Sequence, residues 1–290
     1  MNLVIAGYDV TEHVKMVKWA GDIDTCARTL DVELARGVKP EEGDSIRLYD
    51  NGLLLLEGIV LFAERNWTGV PMESADLGMY LANNKAYKEY KGTPQAIAAQ
   101  VCAEFNVPIA RLASTGEKVK VTSTGDLTAY GVLKKAYNPT KQDYAIGYDG
   151  GLVVERLGSE VVARLEYEIS EASSSVSIKK MVNKVVIVKR GKKLGEVGNT
   201  GDQSKCGTFQ ETYTSQKRKT DAEEAKKLLK SIERAGAVSA IGNSLCRAGK
   251  AVELADAKSG LSGVYTIRRD THTWKDGAHS MKLELYFANE

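Results

Sequence analysis

Three histidines, four cysteines and five prolines among 290 residues leave several kinds of chemistry short of material. Cys26, Cys102, Cys206 and Cys246 stand far apart, with no CxxC and no Cys/His grouping. Zinc and a redox dithiol are therefore unsupported, and the expectation is reduced, mostly buried thiols. The scarcity of proline, with 43% hydrophobic and 27% charged residues, excludes a long disordered linker and predicts a chain folded nearly throughout. No run is long and apolar enough to span a bilayer, so no membrane contact is expected. The opening MNLVIAGYDVTEHVKMVKW has only a short apolar run before Asp9 and Glu12. This is unlike a secretion signal and predicts synthesis in the cytosol without a cleaved leader.

Catalytic signatures are missing as well. There is no GxSxG, HExxH or GxxxxGK[ST]. Gly147, Gly150 and Gly151 open no helix and read as part of a hairpin, not a phosphate loop. Glu41-Glu42 falls in a turn and Glu223-Glu224 on an exposed helix face, which makes them solvated charge and not an acid/base pair. The serine-rich EASSSVS, residues 171–177, reads as a hinge between domains. Two histidines flank Asp276-Gly277; a two-residue turn there sets Trp274 opposite His279 and His272 opposite Met281, so both histidines share a face. With no carboxylate or thiolate beside them on that face and Trp274 between them, cross-strand packing is expected and no metal. Neither catalytic residues nor a cofactor site are predicted.

Charge of one sign is scarce overall, at +2, but unevenly spread. Residues 176–234 carry fifteen Lys/Arg against seven Asp/Glu, an excess of eight, which leaves the remainder at −6. The basic stretch lacks interleaved aromatics, so it predicts a solvated face or a surface for an acidic partner subunit, and nucleic-acid contact is not expected.

What is present is β structure framing a helical middle. TLDVELA and SIRLY alternate apolar and polar residues, and Asp50-Asn51-Gly52 turns the second into LLLLEGIVLF. Gly58 inside that apolar strand predicts a bulge or bend. Thr93 caps a helix begun by Pro94 and carrying Ile97, Val101 and Phe105. A second helix runs from Asp126 with Leu127, Tyr130, Leu133 and Tyr137 on one stripe, stopped by Asn138-Pro139. Between them Lys118–Thr122 is a strand, and DYAIGYDGGLVVERL a hairpin. NKVVIVK returns to β structure, and a helix over 220–235 interrupts it. That helix has a Thr220/Glu223 capping box, Ala225, Leu228, Leu229 and Ile232 as its stripe, and Gly236 as its end.

The two β regions echo each other. EEGDSIRL, residues 41–48, matches RAGKAVEL, residues 247–254, and EGIV at Gly58 follows Gly43 much as SGVY at Gly263 follows Gly249. Trp67 and Trp274 come later at similar distances. The reading is α+β, mainly β: two copies of a small β-barrel with an α+β domain inserted and one extra helix in the second copy. The segments are 1–90, 91–170 and 171–290, and Gly58 and Gly263 are expected at bends or bulges of corresponding strands.

NKVVIV, KCGTFQ at 205–210, the alanine-containing helix, GNSLCRAGKAVEL, SGVYTIRRDTHTW and the final KLELYF together resemble the baseplate hub family of contractile phage tails. That family includes tail proteins of phage-like elements, R-type bacteriocins and late control D-like hubs. GDSIRLYDNGLLLLEGIV and TPQAIAAQVCAEFNVPI resemble it too, so the likeness covers nearly the whole chain. Cys206 departs from it, since an aromatic residue is expected before that glycine. The resemblance implies a non-enzymatic homotrimer with two alike barrels per chain, joining a sixfold tail tube protein to a threefold central spike protein beside other baseplate subunits. It also implies a place in a virion tail or bacteriocin particle assembled in the bacterial cytoplasm. The other function class considered is a tail enzyme that binds or degrades the cell wall.

Overall fold

The computed structural model describes residues 1–137, 144–216 and 220–287. The Asn138-Pro139 helix stop lies outside them. Strands hold 51% of the chain and helices 15%, so the class is α+β and mainly β.

The first strands are β1 (Asn2–Ile5), β2 (Tyr8–Asp9), β3 (Val14–Asp22), β4 (Thr29–Leu34), β5 (Ser45–Asp50), β6 (Leu53–Ala63) and β7 (Val70–Asp76). Period-two alternation sets their faces: Leu30, Val32 and Leu34 of β4, with Ile46 and Leu48 of β5, are all buried. Asn51 and Gly52, at φ 49° and 79°, supply the left-handed turn between β5 and β6. Gly58 is needed for close approach, since a Cβ there would lie 2.0 Å from the Ala75 carbonyl oxygen of β7.

An α+β module follows, with α1 (Met79–Asn83), β8 (Glu89–Gly92), α2 (Pro94–Glu104), β9 (Ile109–Leu112), β10 (Val119–Thr122), α3 (Ala129–Tyr137), β11 (Tyr144–Tyr148) and β12 (Leu152–Arg156). Thr93 Oγ1 accepts from the Ala96 amide at 3.4 Å, so the expected cap and Pro94 start hold. Ile97 and Val101 from α2 and Leu133 and Tyr137 from α3 fill a core that also contains Tyr90 and Ile146.

The chain then runs through β13 (Val161–Leu165) and β14 (Ile169–Ser177), followed by β15 (Lys184–Lys189), β16 (Lys192–Gly198), α4 (Thr200–Cys206), β17 (Gln210–Thr214) and α5 (Asp221–Lys226). It ends in β18 (Glu233–Ile241), β19 (Ala251–Asp256), β20 (Leu261–Lys275) and β21 (Ala278–Tyr286). Contacts divide it into two compact units: Met1–Ala172 with Ala237–Tyr286, and Ser173–Gly236 with the last residues. The boundary falls within the serine-rich EASSSVS, which is strand and not loop. The second unit has its own small sheet, ordered β16-β15-β17, over Val185, Ile187 and Ala225.

The helix expected over 220–235 is much shorter, spanning Asp221–Lys226, and the Thr220 side chain caps nothing. Tertiary pairing overrides the helical periodicity here. Lys230 exchanges both backbone hydrogen bonds with Val182, at 2.9 and 3.0 Å, and the chain is β strand from Glu233 through Gly236. Leu228 and Leu229 still reach the small core, but from beyond the helix end.

In the large sheet the order β4-β7-β6-β5 is repeated as β18-β21-β20-β19, all antiparallel. The leading turns match in detail. Gly43 and Gly249 have φ of 91° and 92°. The Gly43 amide bonds Val60 O at 2.8 Å and Val60 returns a bond to Asp44 O at 2.9 Å; Gly249 and Ile267 do the same at 2.9 Å, with 2.8 Å back to Lys250 O. A bulge follows at once in both strands, between Val60 and Phe62 and between Ile267 and Arg269.

Counted from these turns, however, Gly58 and Gly263 do not correspond. Gly58 pairs with Ile46, whose counterpart Val252 pairs with Tyr265, whereas Gly263 pairs with Leu254. Gly263, at φ 123°, is the distorted one; Gly58 has ordinary strand φ and is flanked by bulges without occupying one. The apparent match in sequence spacing arises because the hairpin loops differ in length: Asn51-Gly52 in one, 257–260 in the other.

Candidate assembly site at the joint of the matched halves

Strand β3 joins the two four-strand sets. Its Trp19 stands opposite Leu30 of β4 on one side and His272 of β20 on the other. The end of the β20–β21 hairpin thereby reaches the first set's core, where Trp274, 6% exposed, packs with Val17, Trp19 and Val32. Asp276 and Gly277, at φ 51° and 77°, form the tight turn, and the register it dictates places Trp274 opposite His279 and His272 opposite Met281. Trp274 and His279 stack with ring centroids 4.1 Å apart. Neither the Trp19 nor the Trp274 indole N–H has a hydrogen-bond partner, so these rings act through packing.

A polar chain is sealed into this joint. Arg28 grips Asp270 through both guanidinium nitrogens, one at 3.1 Å from Oδ1, and lies over the Trp19 ring. Asp270 also accepts from the Ala248 amide at 2.6 Å. His272 Nε2 donates to Cys246 O at 3.0 Å, and His279 Nε2 donates to His272 Nδ1 at 3.1 Å. Burial pushes the His272 pKa down to about 4 against the pull of Asp270, and lowers that of His279. Asp76 accepts from the Arg28 and Gly78 amides, both at 2.9 Å. Burial nevertheless pushes it up to about 7.

Carboxylates do stand near the histidine pair, contrary to the expectation from its own hairpin. Asp270 Oδ2 is 3.5 Å from His272 Nε2, and Asp50 Oδ2, held by Ser244, is 3.9 Å from His279 Nδ1. Asp50 comes from β5, outside the hairpin. Both His272 nitrogens and His279 Nε2 are engaged in hydrogen bonds, and among the described residues no group of three His, Cys, Asp or Glu is placed to hold a metal ion. Arg28 and Asp270, the centre of this network, carry no signal in sequence because nothing local relates positions 242 apart.

A cavity of about 290 Å³ lies beside the joint, lined by Arg28, Arg111, Glu155, Arg247 and Lys250 among others. Its charges neutralise one another: Arg111 and Lys250 bond Glu155 at 2.7 and 2.9 Å, and Arg247 reaches Asp149 at 3.4 Å. Asp76, the carboxylate raised by burial, is not among its lining residues. Large apolar side chains are instead exposed on the outer surface: Leu61, Phe62 and Trp67 at the β6–β7 hairpin, and Tyr167 and Ile241 beside β14.

Solved structures share this fold along nearly the whole chain. A tail protein from Neisseria meningitidis MC58 superposes with a TM-score of 0.74 at 15% identity, covering 99% of this chain and 96% of that one. The 43 kDa tail protein of prophage MuSo2 from Shewanella oneidensis gives 0.71 at 16% identity, covering 98% and 96%. An E. coli component of the type VI secretion system gives 0.57 at 10% identity, covering 99% and 77%. The likeness to tail baseplate hubs thus stands at the level of fold. YqbQ of Bacillus subtilis strain 168, an uncharacterized protein, is 24% identical over 271 residues, 86% of this chain and 82% of that protein. A family model described as YQBQ-like matches residues 17–286, and the chain belongs to that family.

Proposed function

We propose that the chain is a structural, non-enzymatic component of a phage-type tail baseplate: the hub that joins the sixfold tail tube to the threefold central spike. The observation that carries this reading is the fold shared with the Neisseria and Shewanella tail proteins across 96% of each. The matched strand sets support the finer part. Two alike barrels per chain, three chains to a ring, would offer six similar surfaces above and a threefold one below. The segments 1–90, 91–170 and 171–290 are then first barrel, insertion and second barrel, save that α1 and β8 already pack in the insertion's core and β13 pairs with β19 of the second set; the basic stretch within 176–234 faces an acidic subunit of the tube or baseplate. The work done is mechanical, through subunit contacts, in a virion tail or bacteriocin particle assembled in the bacterial cytoplasm.

Electron microscopy of purified particles carrying a tagged chain tests this. The expected result is three copies at the junction of tube and baseplate. Absence from the particles, or a twofold dimer within them, would overturn it.

A further inference from the structure

The joint inside the chain has an unfilled counterpart on its surface. Counted from the bulges, Phe62 of β6 answers to Arg269 of β20, and Trp67 to Trp274. The ladders agree, since Glu64 bonds Pro71 and Asn66 bonds Gly69, both at 3.0 Å, as Thr271 pairs with Lys282 and Thr273 with Ser280. Yet Trp274 is 6% exposed and Trp67 is 89% exposed. Trp67 lies in the Asn66–Gly69 turn at the tip of a shorter hairpin, and β6 also lacks what β20 has in β3. Beyond its bulge β20 pairs with β3 from Arg269 to Lys275, whereas among the described residues β6 beyond Ile59, its last pair with β5, has no strand on that side.

The strand that would fill the gap exists elsewhere in the sheet. As β3 flanks β4, so β14 flanks β18, with the Ile241 amide bonding Glu168 O and Ser170 Oγ bonding Ser239 O, both at 3.1 Å. It ends the sheet order, so Ile169–Ala172 presents an open edge. The side chains suit each other. Where Arg268 and Arg269 meet Asp24 and Asp22 within the chain, the corresponding hairpin positions are the exposed, apolar Leu61 and Phe62; counted from the Ile241–Glu168 bond, which matches Ala35–His13, the positions answering to Asp22 and Asp24 fall near the exposed, apolar Val176 and Ile178.

We propose that the β6–β7 hairpin edge of one chain pairs with β14 of a second copy, burying Trp67 as the internal joint buries Trp274. The contact is head-to-tail, so it leaves each copy with one hairpin and one β14 edge to offer, the condition for a ring. It rests on the reading of the chain as a self-assembling tail component and names where copies touch.

Trp67 is exposed while Trp19 and Trp274 are buried, so the unmodified protein carries its own probe. On raising the concentration toward millimolar, self-association should abolish the iodide-quenchable part of tryptophan fluorescence. Trp67→Ala should weaken the association about 30-fold or more, as expected for a central interface tryptophan, while leaving the monomer's melting unchanged. With a benzophenone amino acid at position 67, cross-links between copies should map to residues 161–172 or 237–241. A monomer up to millimolar, an assembly in which Trp67 stays quenchable, or cross-links mapping elsewhere would overturn the contact. Each of these is compatible with finding the protein in tail particles, so the two ideas fail separately.

Discussion

Arg28 and Asp270, 242 residues apart along the chain, meet as a forked ion pair with the guanidinium carbon 3.8 Å over the ring of Trp19. Asp270 is fully buried, and a charge left alone in such a place is far costlier than the pair itself is stabilising. Asp270→Ala should therefore lower unfolding stability by about 3 kcal/mol or more, with the Ala248 amide also losing its acceptor. Chemical denaturation monitored by circular dichroism checks it; a loss below about 1 kcal/mol would show that the pair behaves like a surface bridge.

The two corresponding tryptophans should respond oppositely in the monomer. Trp274→Ala removes a buried ring from a packed core and should cost about 3–5 kcal/mol. Trp67→Ala removes an 89% exposed ring and should change stability by no more than about 0.5 kcal/mol. Comparable losses for the two in dilute protein would contradict the difference in burial.

Between pH 4 and 7 two buried groups act with opposite sign. His272 is held neutral, its pKa pushed down from 6.5 to about 4, so the unfolded chain takes up its proton first. Folding then loses stability as pH falls from about 6.5 to about 4. Asp76, pushed up from 3.8 to about 7, is protonated first in the folded state, so its contribution grows as pH falls from 7 toward 4 and is lost as pH rises again. Asp76→Asn should unmask the histidine, giving a loss of about 3 kcal/mol on acidification from pH 6.5 to 4. Urea midpoints across that range decide; a variant with the parent's pH profile would refute the opposition.

Gly58→Ala should be damaging although its backbone φ is ordinary, because the new methyl meets a backbone oxygen of the neighbouring strand at 2.0 Å. A loss of about 3 kcal/mol is expected. Gly263→Ala has open space around it but keeps φ at 123°, and should cost about 1–2 kcal/mol from strain. Thermal melts of both variants test the order.

Thiol labelling of the native protein should begin at Cys206, which is partly exposed. Cys26, Cys102 and Cys246 are buried, and burial raises all three thiols, the latter two to about 11 and about 12. Mass spectrometry after brief alkylation should find Cys206 modified ahead of the other three; prior labelling of any buried one would contradict the packing around it.

Local patterns carried much of this in the sequence. Alternation in β4, the Thr93-Pro94 start of α2 and the Asp276-Gly277 turn each act over a few residues, so their outcome was legible there. The echo of Gly43 and Gly249 was legible for the same reason, because each sits at a left-handed position that its turn requires. Gly58 and Gly263 misled because spacing along the chain counts loop residues that the sheet register ignores. The helix over 220–235 failed where Lys230 paired with Val182, a distant partner that periodicity does not register. Asp50 beside His279 was missed similarly, since it approaches from another strand; Asp270 stands two positions before His272 in the same strand, where period-two alternation already put it on the same face.

Strand β3 also has a consequence in time. One of its two neighbours, Arg269–Lys275 of β20, lies far along the chain from it. Contacts of such long sequence separation form late, and the closure entropy must be met before they contribute. During synthesis β3 keeps an open edge, and the core around Trp19 lacks Trp274, until β20 has been made. A chain cut short before β20 would keep that edge exposed and prone to pair with strangers. The β20–β21 hairpin therefore acts as a check on β3, since only chains that carry it cover that edge and complete the core around Trp19.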